Sequence, residues 1–378
     1  MKKKVLSVVL AGMMSVGLAA CGSSNQNAAS TEKAAAAAST TDATTESAEN
    51  AAVAETGTSS SEIKYADNAV VINVGYENAV TEPAAKAAEK WKELVAEKSG
   101  GTIDLELFPN STLGKKNDLI DQMLLGQNVI TVADGAFLAD YGVKDFGFFY
   151  APYAFDNWDQ LWTVLDSDWY SDLKDKLAQA GGIRVVSSNW IYGARDILST
   201  KQVKTPADLK GLKLRVSSND LSVKSFESLG ATPVGMDMSD VYQAMSGKTI
   251  DAVENPITSL YNRSFQEVGK YLCKDEHILA TSMWICGESF YSTLTEEQQK
   301  WLCEAADEAG LYNNDLYEDA TTEAEKGMTD AGVTIYTPTD AEKKEWIDAA
   351  QPFFETADKT MGWTADLYST VHAIADGK

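Results

Sequence analysis

Arginine is scarce in this sequence and is confined to one part of it. Only four of the 32 cationic residues are arginines, namely Arg184, Arg195, Arg215 and Arg263. Arg195 and Arg215 stand in otherwise apolar segments typical of strands. A buried guanidinium needs an anionic partner, and its planar fork suits a carboxylate. The pattern therefore predicts that these two arginines bind carboxylates, either of a structural Asp or Glu or of a ligand.

Common catalytic motifs are missing from the sequence. It contains no GxSxG, HExxH or GxGxxG, and His277 and His372 are too far apart in sequence to suggest a local metal site. The segment 247–249 resembles the end of a phosphate-binding loop, but Tyr242 stands where that motif requires Gly. We therefore expect no catalysis and no cofactor. A lipid-anchored hydrolase would need a nucleophile–base pair, for which we find no candidate.

Three cysteines follow the N-terminal region, at positions 273, 286 and 303. Cys273 and Cys286 could form a disulfide in an exported protein, but the apolar sequence around each cysteine favours buried free thiols. No CxxC pair is present, so we expect no thiolate metal site.

The N-terminus indicates an exported protein, and the net charge argues against one class of partner. Residues 1–20 combine three lysines with an apolar stretch, as a signal peptide does, and the Leu-Ala-Ala-Cys21 segment resembles a bacterial lipobox. We therefore predict lipidation of Cys21, followed by a disordered tether over 21–65 that is rich in Ala, Ser, Thr and Glu. The formal charge of −24 disfavours nucleic acid as a partner.

Strands and helices are predicted to alternate through the rest of the chain. The first series has strands over 70–76, 102–108 and 128–133 and helices over 83–98 and 114–126. The second has strands over 183–190, 195–199, 212–216, 231–234 and 249–253 and helices over 220–229 and 239–246. Two such series indicate two α/β lobes with a cleft for a ligand. A helix over 294–328, roughly 50 Å long, could cross both lobes.

Several motifs follow one another through the centre of the chain. They are Gly193-Ala-Arg195, Thr205-Pro-Ala-Asp-Leu-Lys-Gly-Leu-Lys-Leu-Arg215-Val, Leu229-Gly-Ala-Thr-Pro-Val, Ser239-Asp-Val-Tyr-Gln-Ala-Met-Ser-Gly and Ile250-Asp-Ala-Val-Glu254-Asn255-Pro256. This segment closely resembles the solute-binding proteins of tripartite ATP-independent periplasmic (TRAP) transporters. A looser match through Phe108-Pro-Asn-Ser-Thr-Leu-Gly114 extends the resemblance over the folded part.

The resemblance implies a two-lobed periplasmic-binding-protein fold of the α/β class, with a long helix crossing both lobes. After a signal peptide (1–20) and a lipidated tether (21–65), lobe I would comprise 66–192 plus 281–320, and lobe II 193–280 plus 321–378. Arg215 matches the family's carboxylate-binding arginine, and Arg195 and Asn255 match residues that line the same site. Met238 stands where the family usually has an aromatic residue, and Trp190 is a further candidate close to Arg195.

Candidates for the far end of the ligand come from the first lobe: Asn78, Lys116 and Asp134. Asp134 would accept hydrogen bonds from sugar hydroxyls, whereas Lys116 could pair with a second carboxylate. The alternative explanations are a turn residue for Asp134 and a solvated helix cation for Lys116. Phe137 stands where sialic acid binders of this family carry an arginine, which argues against sialic acid.

We therefore predict a monomeric, lipid-anchored protein that binds a small organic acid and delivers it to the membrane subunits of a TRAP transporter. A sugar acid is favoured over a C4-dicarboxylate. The binding protein of an ATP-driven importer is the alternative, and the long helix and the Glu254-Asn255-Pro256 segment disfavour it.

Overall fold

The computed structural model describes residues 64–378. The predicted signal peptide, Cys21 and residues 21–63 of the predicted tether lie outside the described residues. Nine strands form one sheet: β1 Val70–Gly75, β2 Ile103–Phe108, β3 Val129–Ala133, β4 Ile183–Ser199, β5 Lys213–Val216, β6 Thr232–Gly235, β7 Ala252–Pro256, β8 Tyr271–Gly287 and β9 Thr334–Tyr336.

Helices cover the sheet and fill the connections. They are α1 Pro83–Lys98, α2 Lys116–Leu124, α3 Gly135–Leu138, α4 Trp158–Leu165, α5 Asp168–Lys176, α6 Asp220–Ser228, α7 Val241–Ser246, α8 Ile257–Asn262, α9 Glu288–Tyr291, α10 Glu296–Asp330, α11 Asp340–Phe354, α12 Ala357–Thr360 and α13 Leu367–Ala375. Short 3₁₀ turns add to these, including one at Met238–Asp240 that leads into α7. Within residues 64–378, no helix is both long and apolar enough to cross a bilayer.

The sheet has a parallel group of strands at each end and an antiparallel pair between them. Its order is β2-β1-β3-β8-β4-β7-β5-β6, with β9 added to β8. The strands β2, β1 and β3 are parallel to one another, as are β7, β5 and β6. Each group is a βα series, as the sequence predicted. The result is the predicted two-lobed α/β fold.

Two 17-residue strands, β4 and β8, join the two groups. The last residues of β8 pair with β3, and the last residues of β4 pair with β7. The sequence predicted two separate strands over 183–190 and 195–199, but the structure has one continuous strand. Several register shifts, including one between Ile191 and Gly193, break the alternating pattern of β4 without ending it.

The long helix α10 packs on both groups. It contacts α1 and β4, and also α8, which directly follows β7. It begins with a capping box in which Thr295 and Gln298 satisfy each other's backbone N–H groups. Small residues allow a close approach to β4, because a Cβ atom on Gly310 would lie 2.1 Å from the Asn189 side chain. The predicted 294–328 helix is confirmed to within two residues at each end.

Both cysteines of the candidate disulfide lie in β8. Cys273 and Cys286 are 13 residues apart along one strand, which corresponds to about 43 Å at 3.3 Å per residue. They cannot form a disulfide with each other. Both are buried free thiols, as the sequence predicted, and Cys303 on α10 is a free, partly buried thiol.

Candidate ligand-binding site

A polar cavity lies where the two parallel groups of strands face each other. Its lining comes from the carboxyl ends of strands in both groups, which is where α/β sheets bind ligands. The cavity is partly open to solvent. Its wall contains Glu77, Asn78, Lys116, Asn117, Val132, Ala133, Asp134, Phe137, Tyr192, Arg195, Arg215, Ser217, Ser218, Met236, Asp237, Met238, Asn255, Thr281 and Ser282. Seven of the eight predicted ligand residues are brought together here.

Arg215 on β5 presents an unpaired charged donor to this cavity. Its side chain is buried, and Nε and Nη2 donate to the Met236 carbonyl oxygen at 2.8 and 2.6 Å. Among the described residues, Nη1 has no hydrogen-bond partner. Burial lowers the pKa of Arg215, although Glu254 and Glu77 attract its charge. Because arginine stays protonated in proteins, the cavity contains a cation in need of an anion.

Arg195 on β4 already has an anionic partner within the protein. Its Nε and Nη2 donate to the Glu254 carboxylate at 2.5 and 2.8 Å, and both side chains are buried. Burial raises the pKa of Glu254, but the charges of Arg195 and His277 outweigh it and lower the pKa to about 2. Of the two partners that the sequence left open for Arg195, the structure shows the structural glutamate.

His277 on β8 extends this buried network. Its Nε2 lies 3.3 Å from Glu254 Oε2, and its Nδ1 lies 3.0 Å from Asp275 Oδ2. Burial lowers the pKa of His277, but the two carboxylates outweigh burial and raise it to about 9. A doubly hydrogen-bonded imidazolium therefore contacts Glu254 Oε2, the same oxygen to which Arg195 Nε donates.

Protonated His277 is expected to make stability depend on pH in the alkaline range. The folded-state pKa of His277 is raised from its ordinary 6.5 to about 9. Its stabilisation is therefore complete below pH 6.5 and is lost as pH rises through 9.

Equilibrium urea unfolding should give a free energy of unfolding lower at pH 9.5 than at pH 6, by on the order of 3 kcal/mol. His277→Gln should remove most of this difference, and His372→Gln should retain it. An unchanged pH dependence in His277→Gln would contradict the assignment.

Asp134 directly follows β3 and caps α3. Its Oδ1 accepts hydrogen bonds from the backbone N–H groups of Ala136 and Phe137 at 3.0 and 3.2 Å. Burial raises the pKa of Asp134, while Lys116, Arg195 and the two N–H groups act in the opposite direction. The turn role that the sequence offered as an alternative is present, and the residue also lines the cavity.

Lys116 begins α2 and faces the cavity with a partner of its own. Its Nζ lies 3.4 Å from Glu77 Oε2 and 4.4 Å from the centre of the Phe137 ring. Only 12% of its side chain is exposed, so it is not a solvated surface cation. Burial raises the pKa of Glu77, but the charges of Lys116, Arg263 and Arg215 outweigh it, and the pKa is lowered. Glu77 and Lys116 therefore form an ion pair within the cavity wall.

Asn78, Asn255 and Met238 complete the predicted set. The Asn78 amide donates to Glu82 Oε2 at 2.8 Å, so part of its hydrogen-bonding capacity serves the loop before α1. The Asn255 side chain is buried, with Nδ2 3.8 Å from the Met238 sulfur. Among the described residues, Asn255 Oδ1 has no partner. Asn255 therefore offers an acceptor in the cavity that Arg215 also lines, while Met238 supplies apolar contact.

Trp190 is the predicted residue that does not line the cavity. It is buried in an apolar core with Trp91 and Trp284, at ring-centre distances of 6.2 and 5.1 Å. Its indole N–H donates to the Ala306 carbonyl oxygen of α10 at 2.9 Å. The placement of Trp190 at the ligand is therefore corrected, because its ring packs toward α10.

Tyr192 occupies the position that was expected of Trp190. It lies at a register shift of β4, between the ladder residues Ile191 and Gly193, and its ring is 5.8 Å from the Arg195 guanidinium. A bulge redirects a side chain in a way that alternation cannot predict. Sequence reasoning also missed Glu77, Ser217, Ser218, Met236, Asp237, Thr281 and Ser282 as lining residues. The sequence did contain a signal for Glu77. This residue closely follows a parallel strand, and ligands bind at the carboxyl ends of such strands.

The family of the chain follows from a family model that covers most of it. The model described as "Bacterial extracellular solute-binding protein, family 7" matches residues 74–360. The chain belongs to this family. The predicted resemblance to TRAP solute-binding proteins is thereby confirmed, and the family consists of extracellular solute-binding proteins rather than enzymes.

Two relatives are named for ligands of different classes. The 2,3-diketo-L-gulonate-binding periplasmic protein of Escherichia coli (strain K12) is 31% identical over 279 residues, which are 74% of this chain and 84% of that protein. The C4-dicarboxylate-binding periplasmic protein of Rhodobacter capsulatus is 28% identical over 294 residues, covering 78% of this chain and 88% of that protein.

Solved structures of the family share the whole fold. A TRAP periplasmic solute-binding protein from Ochrobacterium anthropi with bound L-fuconate is 38% identical with a TM-score of 0.77, covering 81% of this chain and 99% of that chain. One from Actinobacillus succinogenes with bound L-galactonate is 35% identical with a TM-score of 0.76, covering 82% of this chain and 100% of that chain.

Proposed function

We propose that this solute-binding protein takes up a sugar acid with one carboxylate, of the aldonate or hexuronate type. The observation that carries the proposal is the buried Arg215 guanidinium, whose Nη1 has no partner among the described residues. A carboxylate beside Nη1 would satisfy both this donor and the buried charge. The structural neighbours at 38% and 35% identity, with bound L-fuconate and L-galactonate, support a ligand of this class.

The rest of the cavity wall suits hydroxyl groups. Asp134, Thr281, Ser282 and Asn255 Oδ1, which has no partner among the described residues, provide acceptors and hydroxyls in the same cavity wall as Arg215. Sugar hydroxyls both donate and accept hydrogen bonds, so each can satisfy such groups, whereas a short dicarboxylate has few donors. We therefore assign Asp134 to the ligand's hydroxyl groups and Arg215 to its carboxylate.

A thermal-shift panel tests this proposal. Aldonates and hexuronates should raise the unfolding temperature of the wild type, because ligand that binds only the folded state stabilises it by mass action. Asp134→Asn should reduce the shift, since the amide loses one acceptor. Stabilisation by succinate, malate or fumarate alone would overturn the proposal in favour of the second candidate.

A C4-dicarboxylate is the second candidate function. The observation that favours it is Lys116, a mostly buried cation that faces the cavity across from Arg215. The 28% identical relative from Rhodobacter capsulatus is named for such ligands. If Lys116 bound a distal carboxylate, Lys116→Ala should abolish stabilisation by succinate.

We further propose that the protein is a monomer that delivers its ligand to the integral membrane subunits of a TRAP transporter. Lobe I (66–192 plus 281–320) and lobe II (193–280 plus 321–378) would close on the ligand, by the hinge mechanism known for periplasmic binding proteins. This division passes through β4 and β8, which run through both groups of strands and so support it.

Lipid anchoring at Cys21 is a separate prediction. Cys21→Ser should move the protein from the membrane fraction to the soluble fraction or leave its signal peptide uncleaved, because the thiol is the acceptor of the lipid. Cell fractionation and mass spectrometry of the N-terminus provide the measurement. A variant that is processed and fractionates like the wild type would show that Cys21 is not the anchor.

A further inference from the structure

We infer that Glu77 determines how many carboxylates the ligand can have: it pairs with Lys116 and leaves Arg215 as the one cation in the cavity wall available to a ligand anion. The site would thereby select monocarboxylate sugar acids over dicarboxylates of the same carbon skeleton. This inference rests on the proposed function, which it deepens by naming the residue that sets the charge selectivity of the site.

The cations of the cavity wall are paired with carboxylates except at one point. Three cations line it, namely Lys116, Arg195 and Arg215. Arg195 is paired with Glu254 at 2.5 Å, and Lys116 with Glu77 at 3.4 Å. Of these three, only Arg215 lacks a carboxylate within 4.0 Å among residues 64–378. The one cation without a carboxylate partner in this part of the chain favours a ligand with one carboxylate.

Pairing with the acidic residues of the wall leaves no second cation available to a ligand carboxylate. Asp237 is bound by Lys115 at 2.7 Å, at the rim. Asp134 accepts hydrogen bonds from the start of α3. A second ligand carboxylate near Lys116 would have to displace Glu77 or stay beside it, and like charges sharing a site disfavour ionisation of both. Its binding would therefore carry a penalty that a hydroxymethyl group avoids.

Glu77 is held in place by the loop that contains it. The Arg263 guanidinium, from the end of α8, donates to the Glu77 carbonyl oxygen. The Glu82 carboxylate accepts from the Ala79 N–H at 2.7 Å and from the Asn78 amide at 2.8 Å. With the next two residues held by Glu82, the Glu77 side chain extends from the segment after β1 toward Lys116. Displacing it would disturb a bonded loop, so the ion pair persists when ligand enters.

The test compares two ligands that differ only at the far end. Galactonate and galactarate share six carbons and four secondary hydroxyls, but galactarate has a second carboxylate in place of the terminal hydroxymethyl group. Titration calorimetry should give the wild type at least a tenfold preference for galactonate. Glu77→Gln should reduce the preference by at least tenfold, because Lys116 becomes available to the second carboxylate.

Two further variants show whether Lys116 is the cause. In Glu77→Gln combined with Lys116→Met, galactarate should lose its gain, because the freed cation is gone. Glu106→Gln on β2 is the matched control: it removes the same charge from an exposed position outside the cavity and should leave the preference unchanged. If Glu77→Gln does not fold, Lys116→Met alone is informative, since unpaired Glu77 should make the wild-type preference larger still.

The outcomes separate this inference from the proposed function. Wild-type binding of galactonate with an unchanged preference in Glu77→Gln would overturn the role of Glu77 and leave the proposed function intact. Equal or tighter wild-type binding of galactarate would overturn the inference as well. Failure of every aldonate, hexuronate and aldarate to bind would overturn the proposed function, and the role of Glu77 with it.

Discussion

Arg215→Ala is expected to weaken ligand binding by about 30- to 5,000-fold. Removing one partner of a buried charge pair costs about 2–5 kcal/mol, largely because the other charge stays buried and unpaired. In this chain that other charge would be the ligand carboxylate in the cavity beside Met236 and Asn255. Arg215→Lys should also weaken binding, because an ammonium group cannot make two parallel hydrogen bonds to a carboxylate. Titration calorimetry with an aldonate measures both effects.

The matched control for Arg215 is Arg184→Ala. Arg184 also forms a bidentate ion pair with a carboxylate, donating two hydrogen bonds to Glu288 at 2.7 and 3.0 Å. It does not line the cavity. Its replacement should leave the affinity unchanged. Wild-type affinity in Arg215→Ala would show that the carboxylate binds elsewhere.

Glu254→Ala is expected to lower the free energy of unfolding by about 3–5 kcal/mol, the cost of breaking a buried ion pair by removing one partner. Arg195 would lose both hydrogen bonds to the carboxylate, and His277 would lose the partner of its Nε2. The buried Arg195 guanidinium would then have no carboxylate partner among the described residues, while His277 would retain Asp275. Equilibrium urea unfolding at pH 7 measures the loss.

An exposed ion pair provides the control for Glu254. Lys344 and Asp348 are one helical turn apart on α11, and their side chains are 71% and 60% exposed. Asp348→Ala should change stability little, because solvent screens such pairs. A Glu254→Ala variant as stable as Asp348→Ala would mean that the buried network does not hold β4 and β7 together.

Local patterns were sufficient to predict most elements of the first group of strands. Helix α1 begins at Pro83 and ends at Lys98, as predicted, because proline favours the first helical position and two glycines follow the end. Strand β8 was not predicted. Four consecutive polar residues, at 274–277, interrupt its apolar pattern. They are buried or half-buried in the structure, and three of them form ion pairs with the distant residues Glu325, Lys343 and Glu254.

In the candidate site too, some features follow from local sequence patterns and others depend on pairing between distant residues. Motifs predicted Arg215, Arg195 and Asn255, and all three line one cavity. The partner of Arg195 could not be predicted, since Glu254 is 59 residues away and meets it only through the register of β4 with β7. The positions of Trp190 and Tyr192 depend on a bulge, which a repeating pattern does not reveal.

The pairing of β4 with β8 along most of their length limits how the two groups of strands can move relative to each other. A two-stranded ribbon resists stretching, because its ladder of hydrogen bonds would have to break, but it bends and twists readily where the ladder is interrupted. The interruptions in this ribbon lie between Val185 and Ile197. Helix α10 runs alongside as a third, stiff connection. We therefore expect the deformation to be concentrated in residues 185–197, whose sequence would set the stiffness of the connection.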